Sequence, residues 1–146
     1  MPSLRHQWLL LWVARKMERD GFWLTGYDGP TPQGGSRNSL PPPPCIGGFR
    51  ADAWGVRMDP LPRLAIGEAK TAEDVETRHT REQLRLFSRI RCGTTGAPAQ
   101  VYVGAPQSAA AALDRVLVEV GLLGRPGVVR VIVPDCLLGE PALAVA

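Results

Sequence analysis

Lysine is nearly absent from this sequence: 15 of its 17 basic residues are arginine, and only Lys16 and Lys70 are lysine. Histidine is as scarce, with His6 and His79 alone, and the three cysteines Cys45, Cys92 and Cys136 form no CxxC. So thin a supply of nitrogen and sulfur ligands supports neither a zinc site nor a four-cysteine iron–sulfur cluster. An odd, scattered cysteine set fits a reducing, cytoplasmic setting. No apolar run reaches bilayer-spanning length. The run Trp8 to Ala14 is far too short, and the charged RKMERD that follows it, without a small-residue cleavage site, reads as a helix rather than a signal peptide. No membrane partner is expected.

What is present belongs to a folded domain. The 146 residues are 45% hydrophobic and 21% charged, enough for one domain over 1–146 with a real core. The net charge of +3 is a mild basic excess, compatible with a polyanionic partner. Arginine-rich usage also suits bidentate phosphate contacts.

Periodicity and turn residues predict a helix over 4–20 with Gly21 as its stop, then a short aromatic strand over 22–27. Residues 28–48 are a Gly/Pro/Ser/Asn-rich stretch without periodicity, expected to be a flexible loop, and a loop of that length in a small domain is usually functional. Strands are expected over 49–57 and 63–70, joined by the proline-containing MDPLP. A helix over 79–91, a strand over 99–105, a helix over 107–123 and a strand over 127–134 complete a single α/β or α+β domain.

The stretch LAIGEAK, residues 64–70, carries the chemistry. Alternation along a strand puts Leu64, Ile66, Glu68 and Lys70 on one face and the small Ala65, Gly67 and Ala69 on the other, where a neighbouring element can pack closely. A turn centred on Pro60 would set Val56 against Leu64, Trp54 against Ile66 and Asp52 across from Glu68. Opposed carboxylates repel unless a cation lies between them. Mg²⁺ or Mn²⁺ suits two carboxylates, with the Ala69 carbonyl as a further ligand. Lys70 on the same face is placed to orient a water and offset charge on a reacting phosphate. The competing reading is an exposed strand end with a Glu–Lys pair, and Asp52 as a satisfied hairpin residue.

Asp52, fifteen intervening residues and then Glu68, Ala69 and Lys70, set between a leading helix and a following helix and strand, resemble the PD-(D/E)XK nuclease superfamily. The resemblance implies a restriction-endonuclease-like core, a central mixed sheet flanked by helices. It also implies a metal held by Asp52, Glu68 and the Ala69 carbonyl, with Lys70 at the attacking water. Gly21 and Phe22 after the first helix, Gly34, Gly35 and Ser36 in the loop, and Arg81, Glu82 and Gln83 in the second helix are similar to archaeal-type Holliday junction resolvases. That likeness implies Gln83 near the metal, a homodimer, and a four-way DNA junction as substrate, cut to leave a 5′-phosphate. Flaps, DNA ends and foreign DNA are the alternative substrates within the superfamily, and a catalytically silent DNA-binding module is the alternative of another class.

The chain departs from the pattern at two places. Ala51 stands at the motif proline, and HQWLL at 6–10 occupies the helix region where the resolvases carry a glutamate. Glu18 is the one glutamate of this helix and lies near its other end, so the resemblance implies that Gln7 or a water stands in, or that a second metal is weakly held. For DNA contact the candidates are Ser36, Arg37 and Arg50, with Arg78, Arg81, Arg85 and Arg89 spaced along one face of the second helix. The alternative for that helix is an ordinary solvated face. His79 is expected at the surface. The alanine-rich helix is expected to pack on the sheet through Leu113, Val116, Leu117 and Val120, with a dimer face as the alternative, and a homodimer would pair through this helix and the last strand.

Overall fold

A computed structural model describes residues 3–32 and 34–139. Gln33 in the expected loop, and both ends of the expected 1–146 domain, lie outside the described residues.

The first helix, α1 (Leu4–Arg19), begins at Ser3, whose Oγ accepts the His6 amide at 3.1 Å. It ends as the sequence predicts. Gly21, at φ +93°, donates to Glu18, and Phe22 donates back to Met17, the paired bonds of a Schellman cap. The strands β1 (Trp23–Tyr27), β2 (Cys45–Ile46), β3 (Phe49–Arg50), β4 (Ala53–Arg57), β5 (Arg63–Ala69), β6 (Gln100–Pro106) and β7 (Val128–Val133) follow, with α2 (Arg78–Phe87) and α3 (Ala110–Glu119) between the later ones.

Five strands make one mixed sheet in the order β1-β4-β5-β6-β7. The first three are antiparallel neighbours, and β5, β6 and β7 run parallel. The fold is α/β, with helices on both faces of the sheet. Leu9, Val13 and Met17 of α1 pack on the face that carries Ala65 and Ala69. Close approach is possible because of glycine: a Cβ at Gly67 would lie 2.8 Å from Met17 Sδ, and one at Gly104 would overlap Val13. On the other face, Leu84 and Phe87 of α2 and Leu113, Val116 and Leu117 of α3 cover Ile66, Val101 and Val103. No helix among the described residues is long and apolar enough to cross a membrane.

Three expected elements change. The strand predicted over 49–57 is two strands. Phe49 and Arg50 turn back on Cys45 and Ile46 through Gly47 and Gly48, both at positive φ, so the supposed loop contains a tight two-residue hairpin. It also holds a 3₁₀ turn, Ser36–Ser39. The second helix stops at Phe87 rather than 91, because Ile90 and Arg91 are drawn into backbone pairing with Ala99 and Pro98. The third helix is α-helical only from Ala110 to Glu119: a 3₁₀ turn, Gln107–Ala109, precedes it, and Gly121 at φ +75° closes it in a second Schellman cap before Gly124 is reached.

Candidate active site

The β4–β5 hairpin has the expected register. Val56 faces Leu64, Trp54 faces Ile66 and Ala53 faces Gly67, which is where the ladder ends. Asp52 is next in line toward Glu68, but its backbone has left the ladder and its amide donates to the Gly67 carbonyl at 3.0 Å. Its carboxylate then does what a strand neighbour would have done, with Oδ2 accepting the Ala69 amide at 2.9 Å. The N–H and C=O of one strand residue point to the same edge, so the Ala69 carbonyl lies on the side of β5 that Asp52 occupies.

Glu68 and Lys70 share the other direction, toward α2. Lys70 Nζ lies 3.1 Å from Glu68 Oε1, and Gln83 bridges the two: its Nε2 donates to Glu68 Oε1 at 3.2 Å and its Oε1 accepts from Lys70 Nζ. Thr77 positions this helix by accepting the Thr80 amide at 3.2 Å as N-cap. All four side chains of Asp52, Glu68, Lys70 and Gln83 are buried. The exposed Glu–Lys strand end considered above is therefore not what forms.

One residue joins the cluster that sequence reasoning set aside. His6, in the first turn of α1, brings Nε2 to 3.2 Å from Asp52 Oδ2. Its only sequence signal is position, since it falls in the helix region where the resolvases carry an acid. Gln7 follows it in the same turn. Glu18 is about three turns away and pairs with Arg37 instead.

The electrostatics are those of two carboxylates buried close together. Burial, and then the nearby Asp52 carboxylate, push the Glu68 carboxyl up to about 8 against the pull of Lys70 and Gln83. Glu68 Oε2 is buried with no hydrogen-bond partner. Burial disfavours the His6 cation, yet the Asp52 hydrogen bond and charge, aided by Glu68, outweigh it and raise the imidazole above its ordinary value. An orphaned carboxylate oxygen beside a second carboxylate fits a divalent cation. Among the described residues no three His, Cys, Asp or Glu side chains are grouped to hold a metal, so an ion here would rest on two carboxylates and few other protein ligands.

The basic residues do not ring this cluster. Arg50 is exposed on β3, two residues before Asp52. Arg37 and Ser36 border a separate cleft with Glu18 and Phe22. The expected basic face of α2 is broken up: Arg81 is held by both Glu119 oxygens, at 2.7 and 3.1 Å, and Arg78 lies 3.6 Å from Glu82. Arg85 and Arg89 sit with Arg91 and Arg125 in another cleft. His79 is exposed beside Phe49. The three cysteines are free thiols.

No protein-family model, curated protein or solved structure matches the chain.

Proposed function

We propose that the protein is a divalent-metal-dependent DNA endonuclease with its centre at Asp52, Glu68 and Lys70. The observation that carries this reading is the unpartnered Glu68 Oε2, buried in a cluster that also contains Asp52, Lys70 and Gln83. A purely structural ion pair would satisfy both carboxylate oxygens, since a buried charge without partners is costly.

In this reading the Asp52 and Glu68 carboxylates and the Ala69 carbonyl would hold Mg²⁺ or Mn²⁺. The bound ion would supply charge against the phosphate oxygens and acidify a water. Gln83 keeps Lys70 Nζ beside Glu68, so the ammonium is placed to meet charge developing on the phosphate. His6 keeps Asp52 oriented from the α1 side and holds a proton at Nε2. Burial of these groups limits bulk water and strengthens each contact.

A four-way junction is the substrate proposed, resting on the likeness of Gly21–Phe22, Gly34–Ser36 and Arg81–Gln83 to the resolvases. A cytoplasmic setting suits the free thiols. The deciding experiment offers labelled junction, flap, linear duplex and single-stranded DNA to the protein with Mg²⁺, Mn²⁺ or EDTA. Metal-dependent cutting, strongest on the junction, is expected. Tight DNA binding without any cutting would turn the reading into that of a silent module.

A further inference from the structure

The cleft of about 380 Å³ between the end of α2 and the end of α3 is lined by four arginines, Arg85, Arg89, Arg91 and Arg125. Most other arginines in the described structure are neutralised: Arg5, Arg37, Arg78, Arg81, Arg115 and Arg130 each face an acid. None of the four in the cleft lies within ion-pair distance of a described carboxylate, although Arg85 is near enough to Glu119 to help lower its carboxyl. Arg91 and Arg125 spend one nitrogen each on a backbone carbonyl, Gly96 and Gly121 at 3.0 Å, which fixes the guanidinium without cancelling its charge. Four like charges around one concavity repel, and an anion is what relieves them. Fork-shaped guanidinium donors match phosphate oxygens best.

This cleft is remote from the carboxylate cluster. Ser88 and Arg125 also line a cavity with Arg63, the first residue of β5, whereas Glu68 and Ala69 are its last. The strand separates the two ends by on the order of 20 Å. Such a spacing allows one duplex to touch both.

We propose that the four-arginine cleft is a second phosphate-binding site that grips a nucleic-acid backbone away from the reacting centre. It deepens the DNA reading above, and rests on it for the choice of polymer. Binding of a labelled duplex of about two helical turns, ~70 Å long, is measured by fluorescence anisotropy at several salt concentrations. Metal is left out, and the protein carries Asp52→Asn so that no cutting occurs. Adding Arg89→Ala and Arg125→Ala is expected to weaken binding at least fivefold and to make the log–log salt slope shallower by about 2, one unit per lost phosphate contact. Arg89→Lys with Arg125→Lys should recover most of that loss, while Arg19→Ala, on α1 across the opposite face of the sheet, should cost little. Thermal melting checks that each variant is folded.

Unchanged duplex affinity and slope in the folded double-alanine variant would overturn the proposal, and cleavage by the wild-type protein would stand untouched. Loss of tripolyphosphate binding in that variant with duplex affinity preserved overturns it too, assigning the cleft to a free polyphosphate. Weakened duplex binding supports the cleft even if the wild-type protein cuts nothing.

Discussion

Asp52 and Ala69 are joined by a side-chain bond that replaces a rung of the sheet, the carboxylate accepting the Ala69 amide at 2.9 Å. This bond ties an acid from one hairpin arm to the end of the other, next to Glu68. Asp52→Asn keeps an acceptor for that amide and should fold, yet lose DNA cleavage by at least about 100-fold, as should Glu68→Gln. Lys70→Ala should lose turnover on the same order while still binding Mn²⁺ in calorimetry. Full activity in either acid variant would sink the site, and equal loss of metal affinity in Lys70→Ala would show that its role is to build the site.

Glu68 should also leave a mark on stability in metal-free protein. Its native carboxyl is raised to about 8 by burial first and Asp52 second. An acid raised on folding binds more protons folded than unfolded, so stability falls as pH climbs from the ordinary carboxylate range toward that raised value. His6, also raised, acts in the same direction, losing its contribution as pH rises through its folded value. In EDTA the melting temperature should therefore fall between about pH 5 and pH 8. Glu68→Gln should flatten most of that slope and raise the melting temperature at neutral pH. Parallel curves for the two proteins would mean that Glu68 is not strained by its surroundings.

Gly104 should be the most sensitive glycine of the sheet. A Cβ there runs into Val13, between a packed helix and a central strand, and neither can retreat cheaply. Gly104→Ala is expected to cost about 1–3 kcal/mol in chemical denaturation. Gly93→Ala, which meets nothing within 4 Å, should change stability little. Equal effects would show that α1 is free to shift off the sheet.

Junction cleavage calls for symmetry. A four-way junction presents two equivalent scissile phosphates, and a two-fold dimer presents two copies of one centre. Leu113, Val116 and Leu117 of α3 are consumed in the chain's own core, which leaves the edge strand β7 and the exposed Val118 as the apolar surface nearest the expected contact. Light scattering should give a dimer at micromolar concentration, and cutting should fall as paired, symmetrical nicks. A monomer with no preference for junctions over linear duplex ends the junction assignment and leaves the nuclease reading in place.

The β4–β5 hairpin shows how far local rules reach. Alternation and a turn at Pro60 were enough to set Trp54 against Ile66 and to send Glu68 and Lys70 to one face, because a register slip would have exposed the apolar partners. Gly67 and Ala69 likewise announced a close neighbour on the opposite face, and α1 is that neighbour. The helix stop at Gly21 was legible for the same reason: it depends on a few adjacent residues.

What depends on distant partners was not legible. The two-residue hairpin at Gly47 and Gly48 broke the strand that was to carry Asp52, and so decided that its carboxylate, not its backbone, meets Ala69. His6 reaches Asp52 across 46 positions of sequence, a pairing set by how α1 crosses the sheet rather than by any pattern near either residue. The arginines of the second helix region looked alike in sequence, but α3 supplied Glu119 to Arg81, and the connection between α3 and β7 supplied Arg125 to the cleft beside Arg85 and Arg89. Periodicity tells which face a side chain takes; only the packed structure tells which charge it finds there.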